Sequence, residues 1–492
     1  MRRMCFFLMV AIPVTLSGQS LNKVSLSLRN VVDMAITQSS SVKYAQNRNV
    51  NYYWRWQNFQ TSFRPQLTLS GDLPDYNKRD IPVRQDDGSI NFKYINEMEA
   101  SANLSLSQSI PLLGMNIYAA SSMVGLKDFN NNTMQFSGRP FYVGFTQPIF
   151  AYNWMKWSKM TEPLIYEEAQ KNFVENIEEI AFNAVSRFFN YLKIQTNFVL
   201  AESNLKNSQD NLKIAEVKQE LGTISENDFS RIKLSVFNAQ KALNNARMDL
   251  KNADFELKKY IGLDQDQEIE LIIPLDMMLY EIDPERALEE AMENRKETPQ
   301  FERRLIEADR DLTQAKRSTG LNATLRMSYG LSNSSELIGG VYVQPEQQQQ
   351  VRLSMSIPIM DWGRSESQVK LAESRRELTI FDVEKDRQDF ERSVIVMVEQ
   401  FNLIKTQLET AEAADKVAEE GYLISLRKFQ NGEISITDLN ISLAERESAK
   451  RDYIRSIEDY WESLHRIRIY TLYDFEMNGK IFYGNPMLGD EM

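Results

Sequence analysis

A short turn that occurs twice limits the possible folds of this chain more than any other feature. The copies span residues 218–228 and 427–438, and each lies between two long helical patterns. A glycine in each copy can end one helix in the left-handed conformation, and a serine followed three residues later by an acid can cap the next helix. The matching positions are 210 residues apart: Gly222 and Gly432, Ile224 and Ile434, Ser225 and Ser435, and Asp228 and Asp438. Two turns in register indicate an internal duplication.

The segments around these turns predict unusually long helices. The longer ones span residues 162–221 and 365–431, and shorter partners follow at residues 226–261 and 436–473. At about 1.5 Å per residue, the longer helices extend roughly 90 and 100 Å, well beyond an ordinary globular helix. Apolar and small residues recur along them in steps of three and four, which predicts coiled-coil packing.

Between the helices the apolar pattern changes to a period of two. Apolar residues alternate with Ser, Thr, Arg and Gly in residues 102–110, 141–149, 323–331 and 351–359. Strands of about ten residues with one apolar face are expected where a sheet separates lipid from a watery lumen, although an ordinary half-buried sheet gives the same alternation. The first copy of the duplication has 46 more residues here than the second, which predicts longer external loops and an extra hairpin. Both four and six strands per chain fit the pattern.

The N-terminal segment predicts export. Residues 1–18 combine two arginines, a short apolar run and small residues, which is typical of a secretory signal peptide. Cys5, the only cysteine, lies inside it, so the predicted mature chain has no thiol for a disulfide or a metal. The net charge of −12 argues against nucleic-acid binding. Because no later apolar run is long enough for a transmembrane helix, the exported chain is predicted to be periplasmic, secreted or an outer-membrane β-barrel protein.

The order of signal peptide, helix, strands, long helix, glycine turn and second helix, repeated once, resembles the TolC-like outer-membrane efflux protein family. Residues 147–150 (Gln-Pro-Ile-Phe) and 357–360 (Ile-Pro-Ile-Met) add to this resemblance. It implies an α+β, mostly α fold, namely the internally duplicated protomer of a trimeric channel with a transmembrane β-barrel and a long periplasmic α-helical (coiled-coil) barrel. It further implies a passive outer-membrane channel of a tripartite efflux or type I secretion system, opened at its periplasmic helical tips.

The resemblance also implies partners and site residues. The partners are two further copies in a homotrimer, a periplasmic adaptor (membrane fusion) protein, an inner-membrane pump and outer-membrane lipid. The protein is expected in the outer membrane, with a large periplasmic portion. Asp228 and Asp438 match positions near the periplasmic gate of the family. At the second turn, Ile434 and Ile441 occupy positions where well-known members carry a basic and an acidic residue, so a salt-bridged lock is not expected there. The residues expected to contact the adaptor lie in the two turns: Gly222, Ile224, Ser225, Gly432, Ile434 and Ser435.

These patterns divide the chain into consecutive segments. After the signal peptide, the predicted segments are a first-repeat helix (19–64), barrel strands and extended loops (65–150), a periplasmic helical hairpin (151–261), an inter-repeat equatorial linker (262–282), a second-repeat helix (283–320), barrel strands (321–360), a second hairpin (361–473) and a C-terminal tail (474–492).

No catalytic, cofactor or metal site is predicted, and we expect no enzymatic activity. The sequence has no P-loop and no dinucleotide fingerprint, and its only histidine, His465, has no nucleophile elbow nearby. Two alternatives stay open at this point. A periplasmic adaptor or scaffold made of helical hairpins would lack lipid-facing strands, and an exported hydrolase would need His465 or a pair of acids.

Overall fold

The computed structural model of the protein describes residues 24–488, so the predicted signal peptide lies outside the described residues. The helices are α1 (Leu28–Gln38), α2 (Ser40–Thr61), α3 (Trp154–Glu220), α4 (Glu226–Ile261), α5 (Pro284–Asn294), α6 (Glu297–Ser318), α7 (Arg364–Asn431) and α8 (Ile436–Thr471). The strands are β1 (Val24–Leu26), β2 (Gln66–Ser70), β3 (Asp75–Arg84), β4 (Ile90–Ile110), β5 (Met115–Asp128), β6 (Thr133–Ile149), β7 (Ile269–Leu271), β8 (Asn322–Ser335), β9 (Glu346–Ser356), β10 (Tyr473–Asp474) and β11 (Gly479–Lys480).

These elements form two compact units. The first contains residues 24–46, Val174–Ala291 and Val394–Gly484 and is mainly helical. The second contains Asn47–Phe173, Met292–Ser393 and residues 485–488, and it holds the large sheet. Helices α3 and α7 contribute residues to both units.

The second unit contains a seven-stranded antiparallel sheet. Six strands lie in the order β2-β4-β5-β6-β8-β9, and β3 pairs only with β4. Strands β2 and β3 pair with successive parts of β4, residues 103–107 and 90–99, so together they make one pass along the same side of β4. The sheet is therefore six strands wide, and the extra hairpin predicted for the first copy corresponds to β4 and β5.

The two faces of this sheet differ in polarity. The alternating segments 102–110, 141–149 and 323–331 are confirmed as parts of β4, β6 and β8, and the fourth lies in β9 as far as Ser356, where that strand ends. On the polar face, the rings of Tyr118 and Tyr142 lie 6.0 Å apart. A Cβ at Gly144 would lie 2.5 Å from the Tyr118 hydroxyl, so any other residue at this position would clash with the Tyr118 side chain. The opposite face exposes large apolar side chains, among them Leu67, Leu69, Leu104, Leu106, Phe141, Val143, Met327, Tyr329, Val351, Leu353 and Met355.

In the first unit, a small two-stranded sheet packs on α3. Strand β1 pairs in parallel with β7, which lies in the predicted linker between the repeats (262–282). The Tyr191 hydroxyl of α3 donates to the carbonyl of Ile269 at 3.1 Å. The Gln195 side chain donates to the Leu271 carbonyl at 3.0 Å and accepts from the Leu271 N–H at 2.9 Å. These bonds fix the linker strand against the long helix.

Three predicted helices differ from the structure. The second-repeat helix predicted at residues 283–320 is divided into α5, which ends at Asn294, and α6, which begins at Glu297. The first-repeat helix predicted within residues 19–64 is divided at Ser39, which is buried and has an extended ψ of 154°. The Ser39 hydroxyl accepts from the Val42 N–H at 3.2 Å, so this serine ends α1 and caps the start of α2. Helix α3 begins at Trp154, earlier than the predicted residue 162.

Candidate functional site at the helical turns

The first turn joins α3 to α4 through a left-handed glycine. Gly222 has a φ of 67°, a conformation that costs other residues about 1–2 kcal/mol. The next N–H, of Thr223, returns to the Lys218 carbonyl at 2.9 Å and closes the end of α3. Ser225 begins α4, because its hydroxyl accepts from the Asp228 N–H at 3.1 Å and donates to the Asp228 carboxylate at 2.7 Å.

The second turn, between α7 and α8, repeats this geometry. Gly432 has a φ of 80°, and the Glu433 N–H donates to the Lys428 carbonyl at 2.9 Å. Here the capping box is complete: the Asp438 carboxylate accepts from both the N–H of Ser435, at 3.1 Å, and its hydroxyl, at 2.7 Å. These two hydrogen bonds hold the pKa of the Asp438 carboxyl below its ordinary value, so the group is ionised at neutral pH.

The two turns pack against each other in the first unit. A shared apolar cluster contains buried residues of both hairpins, and Ile224 and Ile434 are packed against it. The Arg231 guanidinium donates to the Thr437 hydroxyl at 3.4 Å, and the Lys218 ammonium lies 5.9 Å from the centre of the Phe429 ring. The buried members of the cluster are Ala215, Ile232, Tyr422, Phe429, Ile436 and Leu439.

The structure thus brings the predicted turn residues together, and it gives several of them a local structural role. Gly222 and Gly432 end helices, Ser225 and Ser435 cap them, and the two isoleucines pack on the shared cluster. Within residues 24–488 neither Asp228 nor Asp438 forms an ion pair; each binds the start of its own helix. Ile441 is 52% exposed.

Sequence reasoning did not find the charged network buried in the first unit. Glu178 of α3 is fully buried and accepts two hydrogen bonds from the Arg468 guanidinium, at 3.0 and 2.9 Å. The Tyr483 hydroxyl donates to the same carboxylate at 2.6 Å, and Arg468 also pairs with Asp474. His465 lies beside it, with Nδ1 3.8 Å from the Glu178 carboxylate. The one sequence signal for this site is the acidic residue itself, because Glu178 lies among the apolar residues Ile177, Ile180 and Ala181 of a helical pattern.

This environment controls the pKa of Glu178. Burial by itself would raise it, but the neighbouring His465 and Arg468 outweigh burial and hold the pKa at about 2. Burial raises the pKa of the Tyr483 phenol, so Tyr483 remains a hydrogen-bond donor at neutral pH. The network joins α3, α8 and the segment after β11.

The described residues offer neither a cluster of metal ligands nor a membrane-spanning helix. No group of three or more His, Cys, Asp or Glu side chains in residues 24–488 is arranged to hold a metal ion. Over the same residues, no helix has both the length and the hydropathy to cross a membrane.

The chain is similar to known outer-membrane proteins in part of its sequence and in its fold. The family model described as outer membrane efflux protein matches residues 288–468. No curated protein matches the chain. The CmeC outer membrane channel of Campylobacter jejuni is similar over 94% of this chain and 88% of its own, with a TM-score of 0.66 and 13% identity.

Two further solved structures share the fold. The outer membrane protein VceC of Vibrio cholerae covers 92% of this chain and 97% of its own, with a TM-score of 0.62 and 11% identity. The open state of the MtrE outer membrane channel of Neisseria gonorrhoeae is similar over 93% of this chain and 91% of its own, with a TM-score of 0.58 and 14% identity. The chain is therefore an outer-membrane protein that carries an outer membrane efflux protein domain in its second half and has the fold of the TolC-like channels.

Proposed function

We propose that this protein is the outer-membrane channel of a tripartite efflux or type I secretion system, a passive conduit that a periplasmic adaptor opens at the helical turns. The observation that carries this proposal is the matched pair of capped glycine turns. Each lies at the end of a very long helix, α3 with 67 residues and α7 with 68. The match to the efflux family supports the transport role, and the energy would come from an inner-membrane pump.

The sheet supports assembly with two further copies. Strands β2 and β9 are its outer strands, and each has an unpaired edge that can add a strand. Three copies joined edge to edge would close a barrel of 18 strands, about 36 Å across between backbones at a spacing of about 4.8 Å and a tilt of about 40°. Four strands per chain would give about 24 Å by the same reasoning. The exposed apolar face would contact lipid, and the polar face would line the lumen.

Opening is proposed as a shift between two populations. An adaptor that binds the splayed arrangement of the helices better than the closed one shifts the equilibrium towards the open channel. In the closed state, three copies of Asp438 would lie near one another, repel anions and attract cations. The turn residues Gly222, Ile224, Gly432 and Ile434 would form the surface that the adaptor contacts, together with both capping serines.

The conduit is tested with detergent-extracted protein. We expect a trimer in native mass spectrometry and discrete conductance steps in a planar bilayer. A scaffold made of helical hairpins would instead be extracted without detergent and would conduct nothing. A water-soluble monomer without conductance would overturn the proposal.

The gate is tested with Asp438→Asn, which removes the charge and keeps an oxygen that can accept the hydrogen bonds from Ser435. We expect a changed single-channel conductance and weaker block by divalent cations. The matched control is Asp452→Asn, because Asp452 is also an exposed acid of α8 but lies well away from the turn. Conductance and block equal to those of the control would exclude Asp438 from the gate.

A further inference from the structure

Two arginines oppose each other on the polar face of the large sheet. Arg326 of β8 and Arg352 of β9 are register partners. Side chains at such positions have Cβ atoms about 4.5–5.5 Å apart, and like charges there are destabilising. Both side chains are exposed, and within residues 24–488 neither has an acidic partner.

The surrounding row of the sheet supplies no compensating acid. Continuing across the strands from Arg326, the register partners are Thr146 of β6, Asn116 of β5 and Ser109 of β4. Strands β6 and β8 contain no acidic residue at all, and the acid of β9, Glu346, lies six residues from Arg352, about 20 Å along the strand.

Closure of the sheet with another copy would not neutralise the pair either. The edge that would join β9 consists of β2 and β3. Strand β2, Gln-Leu-Thr-Leu-Ser, has no charged residue. The acids of β3, Asp75 and Asp80, pair with Glu99 and Tyr94 of β4, ten or more residues from Ser109 in the row of Arg326. The polar side chains that β2 would add to this face are Gln66, Thr68 and Ser70. No acidic side chain of that edge lies in the row of the two arginines, so their N–H donors would stay available to a solute.

We propose that Arg326 and Arg352 form an anion-binding site on the wall of the lumen, one site per chain. It takes solutes that carry a phosphate, sulfate or carboxylate group, because a pair of guanidinium groups offers several parallel N–H donors to such an oxyanion. This inference rests on the proposed function in one respect, since the polar face lines a lumen only when the sheets close. Binding of the anion itself requires only the folded sheet.

The probe is tripolyphosphate, and the variant is Arg326→Gln with Arg352→Gln. Binding to the purified protein is measured by titration calorimetry at low ionic strength, because salt screens exposed charges. Block of single-channel current by the same anion is measured in a planar bilayer. The matched control is a single change, Arg84→Gln, at the far end of β3 on the opposite face of the sheet.

We expect tripolyphosphate to bind the double variant at least about tenfold more weakly than the native protein and to block its current less, while Arg84→Gln behaves as the native protein. A second variant, Arg326→Glu with Arg352→Glu, should also shift the reversal potential in a salt gradient towards cation selectivity. Equal binding in native protein and double variant would overturn the anion site. Tripolyphosphate binding that depends on the two arginines, in a protein that forms no channel, would instead overturn the proposed function and leave the site in place.

Discussion

Replacement of Glu178 by glutamine tests the buried network of the first unit. The substitution keeps the size and one oxygen acceptor for Tyr483 but removes the charge that faces Arg468. Arg468 then retains Asp474 as its acidic partner. Removal of one partner from a buried ion pair typically costs about 3–5 kcal/mol, because the remaining charge is left poorly compensated.

The pKa of Glu178 gives a second, independent magnitude. Its value is about 2 in the folded protein, against 4.5 ordinarily. Since one pKa unit corresponds to about 1.4 kcal/mol, the ionised carboxylate stabilises the fold by about 3 kcal/mol at neutral pH. The folded pKa is the lower one, so this stabilisation is complete above about pH 4.5 and is lost as the pH falls through 2. At pH 3 about half of it remains.

The assay is thermal unfolding of the detergent-extracted protein at pH 7 and pH 3. For a unit of this size, about 3 kcal/mol corresponds to a decrease in Tm of roughly 6 °C in Glu178→Gln at pH 7. The difference in Tm between the variant and the native protein should fall to about half at pH 3, because the ionised Glu178 carboxylate then stabilises the native protein by only about half as much. The matched control, Glu179→Gln, alters the exposed neighbour on the same helix and should change Tm little. A Glu178 variant as stable as this control at pH 7, or a difference that stays constant down to pH 3, would refute the reasoning.

Three smaller changes test the turns and the sheet. Gly432→Ala should destabilise the second turn by about 1 kcal/mol because φ is 80°, and hydrogen exchange in the turn should become faster. Gly421→Ala, inside α7 and away from the turn, should not have this effect. Ser435→Ala should cost about 1 kcal/mol in the same measurement through loss of the cap of α8. Gly330→Ala would place a Cβ 2.5 Å from a backbone carbonyl oxygen of β6 and should lower the yield of heat-resistant, membrane-inserted protein; Gly339→Ala, which meets nothing within 4 Å, should not.

The turns were predictable because the groups that determine them are neighbours in sequence. The glycine, the serine and the acid of each copy lie within seven residues, and the structure joins them by the hydrogen bonds expected of a left-handed helix end and a cap. The break of the first helix at Ser39 has the same local chemistry. Its signal, three consecutive serines at 39–41, lies within an otherwise continuous helical pattern, which does not by itself predict a break.

Features that depend on distant residues were not predictable in this way. Glu178 meets Arg468 290 positions later and Tyr483 305 positions later, and no periodicity in the sequence records such a pairing. The length difference between the repeats indicated extra residues in the sheet, but only the pairing of β4 with both β2 and β5 shows where the extra hairpin lies. The role of Asp438 as the capping-box partner of Ser435 follows from its geometry, whereas its role in the gate remains a prediction.

The bonding within the turns limits how the proposed gate can move. Unwinding a turn would break a cap worth about 1 kcal/mol and would expose the apolar cluster that both hairpins share. Displacing the long helices with their turns intact breaks none of these bonds within a hairpin. We therefore expect the amides of Glu433 and Asp438, which are bonded within the second turn, to stay protected from hydrogen exchange in both the isolated trimer and the adaptor-bound channel. Rapid exchange of these amides on adaptor binding would mean that the turn itself unwinds during opening.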